Sequence, residues 1–228
     1  MSEKLLIFRT KFKRRIMVTT DETTSSCTSK QIKTEITSGK KGKLYFPNSF
    51  SDDFNIGAVT RTLSRLEKEG ILVRLAQGVY LYPETNRFGI VRPSLDEIAS
   101  AIAHKDNALI IAAGSTALNK LGLSDQVPLN AVYHTTGSGR IVKIGTRKIR
   151  FKHTAPRNFV YKSKIMPLIV EALKSLKEEN VDDKTLKQIE EIVLSLKKEE
   201  LNLFRHDINN TPIWIRKQLQ NILNNNKL

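Results

Sequence analysis

Three features of the chain predict an α+β fold. Residues 54–83 join a short amphipathic helix to a two-stranded hairpin through a glycine. Residues 108–153 alternate strand-length runs with glycine turns, and residues 163–228 carry helical stripes and little else.

The elements follow in order. Thr28 and Ser29 suit the cap of a helix reaching about Ser38, with Ile32 and Ile36 four residues apart on its buried side. Gly39-Lys40-Lys41-Gly42-Lys43 breaks it. Leu44-Tyr45-Phe46 then reads as a very short apolar strand, and Pro47-Asn48-Ser49 as a turn into a second short helix through Phe50 to Phe54. Ile56, Val59, Leu63 and Leu66 recur at spacings of three and four, giving a third helix one apolar face. Thr60, Arg61, Ser64, Arg65 and Lys68 fall on its other side. Gly70 stops this helix, because a residue without a Cβ takes the left-handed conformation readily. Ile71–Leu75 and Val79–Tyr82, joined by Ala76-Gln77-Gly78 and closed by Pro83, read as a hairpin. Helix, short strand, helix, third helix and hairpin is the order of a winged helix-turn-helix, a duplex DNA reader. Arg74 and Gln77 near the hairpin tip suit a phosphate or minor-groove contact. The alternative is an ordinary core with solvated cations. For Lys40, Lys41 and Lys43, phosphate contact and simple solubilisation of a loop are both open.

Residues 84–93 read as a polar connector. Ser94-Leu95-Asp96-Glu97 opens a helix with a capping box. Ala108–Ala113 is a continuous apolar run, expected to be a strand covered on both faces. Gly114-Ser115 turns into a short helix through Leu121 that Gly122 ends. Strands are expected at 130–136, 140–144 and 147–153, with Gly137-Ser138-Gly139 and Gly145-Thr146 as tight turns between them, forming a small antiparallel sheet. From Gln126 to Val170 there is no acidic residue but nine cations. Arg140, Lys143, Arg147 and Lys148 are the candidates for a secondary basic surface, facing nucleic acid, an acidic partner or only solvent. In residues 162–228, Ile165, Ile169, Leu173 and Leu176 mark one helical stripe; Ile189, Ile192, Val193 and Leu196 mark another. Asp182 and Asp183 suit a cap, and Thr211-Pro212 a cap followed by proline at the first helical position. The stripes read as core, with a homodimer contact as their alternative use.

Composition bounds the function. The 228 residues carry a net charge of +15. Residues 1–93 hold 17 Lys/Arg against 9 Asp/Glu, residues 94–161 hold 9 against 4, and residues 162–228 hold 12 against 10. The excess lies with the expected DNA reader, as polyanion binding requires. No apolar run approaches the roughly 18 residues of a membrane span, and the single cysteine, Cys27, fits a reducing interior. A cytoplasmic protein with no membrane contact is expected. Residues 1–27 read as a basic extension, with Met17 as an alternative start. His104, His134, His153 and His206 share no ligand spacing. Gly114-Ser115 followed by Asp125 has the start of a nucleotidyltransferase site, but Val127 stands where the second metal-holding carboxylate belongs. No catalysis, metal or cofactor is expected.

The segment GSTALNKLGLSDQVPLNAVYHTTGSGRIVKIGTRKIRFKHTAPR (114–157), preceded by SRLEKEGILVRLAQGVYLYP, resembles the AbiEi-like antitoxins of bacterial type IV toxin–antitoxin systems. The matching pieces are Ala117–Pro128, Val132–Gly137, Gly139–Ile149 and Arg150–His153. The resemblance covers roughly Ser29 to Tyr161. It implies an N-terminal winged helix on operator repeats (residues 28–83) and a C-terminal antitoxin domain (94–228, with a helical tail from 162). It also implies a transcriptional autorepressor that counteracts a nucleotidyltransferase toxin, with direct contact between the two left open. The DNA-contacting positions it carries over are Thr60, Arg61, Ser64, Arg65, Lys68, Arg74 and Gln77. Because the start of a reading helix goes deepest, Arg61 is expected at a base edge and Lys68 at a phosphate. A stand-alone regulator and a protein–protein adaptor for an acidic partner are the alternatives.

Overall fold

The computed structural model describes residues 28–50 and 53–226 and is a mixed α+β structure in two compact units, which divide between Ser94 and Leu95. Expectations for residues 1–27, Cys27 included, and for residues 51–52 lie outside the described residues.

Among the described residues the first unit opens with a helix over residues 28–38 (α1) and a two-residue strand, Leu44–Tyr45 (β1). The expected second helix is instead one turn of 3-10 helix, Pro47–Phe50. Helix α2 spans Ile56–Lys68, followed by Val73–Ala76 (β2) and Val79–Leu81 (β3). These strands form an antiparallel sheet in the order β1-β3-β2. Ile32, Ile36, Tyr45, Phe50, Val59, Leu63, Leu66, Leu72 and Tyr80 close one core, with the rings of Tyr45 and Phe50 stacked at 5.9 Å. Gly39 is needed for more than breaking a helix: a Cβ there would collide with the Tyr45 hydroxyl. The polar connector holds an unforeseen hairpin, Glu84–Asn86 (β4) with Gly89–Val91 (β5), every residue of it exposed. It has no buried face, so no apolar alternation announced it.

The second unit starts with Leu95–Lys105 (α3), Ile110–Ala112 (β6) and Ser115–Lys120 (α4). Strands Asn130–Thr135 (β7), Arg140–Ile144 (β8) and Arg147–His153 (β9) complete a four-stranded sheet in the order β6-β7-β9-β8. Three expectations fail here. The sheet is not purely antiparallel, since β7 and β9 run parallel. Nor is Gly137-Ser138-Gly139 a hairpin turn: β9 lies between β7 and β8, so this segment arches over the end of β9. Its glycines permit close approach. A Cβ on Gly139 would come within 3.4 Å of the His153 amide, and one on Gly137 within 3.0 Å of Ala108 Cβ. The His153 Nδ1 lies 2.9 Å from the Gly137 carbonyl oxygen. The apolar run at 108–113 is an edge strand and is not covered on both faces; Leu109 remains 59 % exposed.

Four helices follow: Met166–Leu176 (α5), Asp183–Leu194 (α6), Lys198–Asp207 (α7) and Ile213–Asn225 (α8). Their stripes meet as the core of this unit, with Ile169, Leu173, Ile189, Val193, Phe204 and Leu219 all fully buried. Asp182 caps α6 as expected, accepting from the Thr185 amide at 2.9 Å. At α8 the expected cap moves by one: Pro212 is the N-cap, and the buried Thr211 hydroxyl donates to the Ile208 carbonyl. Two carboxylates of α7 hold the start of α5. Asp207 accepts the amides of Lys162 and Ser163 at 2.7 Å, and Glu200 accepts the Ser163 hydroxyl at 2.8 Å and the Lys164 amide at 2.7 Å. Glu171 of α5 faces His134 of β7 at 3.0 Å and Lys174 at 3.1 Å. Among the described residues no helix is long and apolar enough to cross a membrane.

Leu63→Ala should cost about 2–5 kcal/mol, by lost burial plus the cavity left behind, and urea denaturation should show the first unit unfolding earlier. Burial pushes the Glu171 carboxyl up, but the hydrogen bond from His134 and the charge of Lys174 outweigh it and leave it below the ordinary 4.5. Glu200 is likewise lowered: burial is outweighed by its bonds to Ser163 and the following amides. Depressed carboxyls stabilise the fold above their unfolded pKa and lose that contribution as pH falls through the folded value. The melting temperature should therefore drop on acidification below about pH 4.5, and Glu171→Gln should flatten that drop.

Candidate nucleic-acid interface

Helix α2 is fixed at both ends by its own sequence. Asn55, which sequence reasoning passed over, is the N-cap: its Oδ1 accepts the amides of Gly57 at 2.9 Å and Ala58 at 3.4 Å. At the other end Gly70 takes φ +73°, and the Leu66 carbonyl accepts the amides of Ile71 and Leu72. That bend delivers the chain into β2. Between these ends Val59, Thr62, Leu63 and Leu66 are buried. Ile56, expected on the same face, is 49 % exposed. It stands at the first helical position, one turn beyond the reach of the core, and so joins the open side.

Thr60, Arg61, Arg65 and Lys68 are exposed along α2, as are Arg74 and Gln77 on the hairpin; Ser64 is half-buried. Their surroundings differ. The Thr60 hydroxyl donates to the Ile56 carbonyl at 2.8 Å, and Arg61 Nε to the Gly57 carbonyl at 3.3 Å, so both side chains lie back toward the helix start. Arg65 faces Glu69 at 3.6 Å, and Glu69 is also bound by Lys33 of α1 at 2.9 Å. The Lys33 hydrogen bond holds the Glu69 carboxyl below its ordinary range. Arg65 is thus partly neutralised. Arg61 and Lys68 have no acidic partner among the described residues.

Ser64 faces the buried Tyr80 of β3, their oxygens 3.3 Å apart. Tyr80 is a positioning residue that sequence reasoning missed. It packs in the core and ties the hairpin to the middle of α2, so helix and hairpin keep one geometry. Its signal was an aromatic inside the run expected to form the second hairpin strand. The hairpin turn is the pair Gln77-Gly78, with Gly78 at φ +70° and Ala76 opposite Val79. A register shift between Arg74 and Ala76 marks a bulge in β2, an edge strand of this sheet. Lys40 and Lys41 are exposed on the 39–43 loop. Lys43 lies 5.1 Å over the Tyr45 ring, and its carbonyl accepts the Tyr82 amide.

The secondary basic residues do not form the expected group. Strand parity places Lys143 and Lys148 on one face of the four-stranded sheet, with Arg150 and Lys152. Arg140 and Arg147 are on the other. Arg140 is ion-paired to Asp106 and lies 5.6 Å over the Phe151 ring. The 117–128 motif is held by its own residues: Asn119 Nδ2 donates to the carbonyls of Ser124 and Gln126, both at 3.2 Å, and Gly122 takes φ +70°. Gly114, the residue considered for a nucleotidyltransferase loop, takes φ +59° where β6 turns into α4. Among the described residues no three His, Cys, Asp or Glu side chains cluster as metal ligands would.

The chain belongs to a family of unknown function, DUF6088, whose model matches residues 31–201 and so spans both units. No curated protein matches it.

Asn55→Ala removes the acceptor for two helix amides and should cost about 0.5–2 kcal/mol, read as a lower urea midpoint.

Proposed function

We propose that the first unit is a winged helix-turn-helix in which α2 reads the major groove of duplex DNA and the β2–β3 hairpin is the wing. The chain would act as a repressor of its own operon. The observation that carries this reading is a rigid, well-capped helix with its inner face buried and Thr60, Arg61 and Lys68 exposed on its outer face. Arg61 suits a base edge such as guanine, and Lys68 a phosphate. Exposed Ile56 adds an apolar contact of the kind that a thymine methyl accepts. Arg74 and Gln77, exposed near a tight turn, suit the adjacent backbone. Arg65, engaged by Glu69, ranks below them.

The motifs between 114 and 157 extend the proposal to an AbiEi-like antitoxin of a type IV toxin–antitoxin system, opposing a nucleotidyltransferase toxin. The protein would carry no catalytic site or cofactor and would work in the cytoplasm.

Gel shifts with the chain's own upstream region, competed by random duplex, test the DNA reading. Arg61→Ala should cost about 1–3 kcal/mol on the preferred sequence and relax base preference, whereas Lys68→Ala should weaken all sequences alike. Equal losses on preferred and random duplex for Arg61→Ala would remove it from base reading. For the antitoxin reading, co-expression with a neighbouring nucleotidyltransferase should restore growth, and failure to do so would leave a stand-alone regulator.

A further inference from the structure

Alternate residues of β7, β8 and β9 build a single cationic face on the second unit. In register across the strands run Asn130, Lys148 and Lys143, then Val132, Arg150 and Ile141, then His134 and Lys152. Lys143, Lys148, Arg150 and Lys152 are exposed, and with Val132 and Ile141 they line a concavity of about 340 Å³. None of the four cations has an acidic partner among the described residues. His134, at the margin of this face, is occupied by Glu171.

This arrangement opposes stability. Lys143 and Lys148 stand directly opposite each other in an antiparallel pair, where like charges destabilise a sheet. The same hairpin shows the contrast, since Arg140 on the other face has both a carboxylate and an aromatic ring. A sheet face that carries four unpaired cations is relieved by an anion laid across them.

We propose that this face grips the phosphate backbone of duplex DNA, as a second contact carried by the same chain as α2. The inference rests on the DNA-binding reading of the first unit. Three of the four cations are lysines, which meet phosphate as point charges, whereas protein interfaces favour arginine and aromatic anchors and are depleted in lysine. The face bears no Phe, Tyr or Trp ring, and its one imidazole, His134, is held by Glu171, whereas single-stranded nucleic acid is held by stacking on free aromatic rings. Val132 and Ile141, the apolar side chains between the cations, offer nothing long enough to enter a lipid layer. Backbone contact carries no sequence information and adds affinity through counterion release.

The test uses the full chain and a Lys148→Ala/Arg150→Ala/Lys152→Ala variant, with a circular dichroism melt to verify that these exposed substitutions leave the fold intact. Fluorescence anisotropy on upstream and random duplexes is followed across a salt series. Three lost phosphate contacts should make the variant's affinity fall about 40-fold less than the wild type's between about 50 and 200 mM salt, with base preference unchanged. Lys143→Gln, which removes the like-charge pair, should raise the melting temperature in the absence of DNA. A variant that keeps the wild-type affinity and salt slope overturns the inference while leaving the α2 reading intact. So does a loss confined to double-stranded RNA or to phosphatidylserine vesicles. A wild-type chain that binds neither duplex overturns both readings.

Discussion

The packing of Val59, Leu63 and Leu66 against Ile32, Ile36 and Tyr80 is the constraint on which the first unit depends. Burial of that stripe decides which way α2 faces, so it also decides that Thr60, Arg61 and Lys68 look outward. Tyr80 reaches across to Ser64 and makes hairpin and helix one body. Asn55 and Gly70 fix where the helix begins and ends. A groove-reading surface needs this rigidity, because contacts held loosely lose free energy to ordering on binding.

The second unit solves a different problem. Its sheet is built from a segment with no acidic residue, so its cations are balanced from elsewhere or left open. Asp106 takes Arg140, and Asp96 takes Lys120 at 3.0 Å while bonding the Tyr133 hydroxyl. Glu171 takes His134 and Lys174. Among the described residues Lys143, Lys148, Arg150 and Lys152 on one side of β8 and β9 remain unbalanced, and Arg147 on the other. Helix α7 contributes through Asp207 and Glu200, which satisfy the amides of Ser163 and Lys164 just before α5 and so place the helix around which the core of this unit closes.

Much of the first unit was legible because its signals are local. Three- and four-residue spacing fixes α2, a glycine fixes its end, and Ala76-Gln77-Gly78 locates the turn, which the structure narrows to Gln77-Gly78. Ile56 was misjudged because periodicity assigns a face without saying how far the core extends beneath it. The helix expected after Pro47 shortened to a single 3-10 turn. In the second unit, strand positions were legible but neighbours were not. Chain order suggested β7 beside β8, whereas β9 enters between them, and alternation within one strand cannot report that. For the same reason the basic residues were grouped by nearness in sequence when the sheet groups them by parity and register. Asp207 and Glu200 act on residues 44 and 36 positions away, beyond any local pattern. At the candidate interface, exposure of Thr60, Arg61, Arg65 and Lys68 was readable, while the half-burial of Ser64 against Tyr80 and the hold of Lys33 on Glu69, the partner of Arg65, required the fold.

Nuclease footprinting of the upstream region with the purified chain tests the central claim most directly. Discrete protected stretches, appearing at concentrations too low to cover random DNA, are the expected result. Uniform cleavage at every concentration up to full non-specific coverage would contradict a sequence-reading surface on α2.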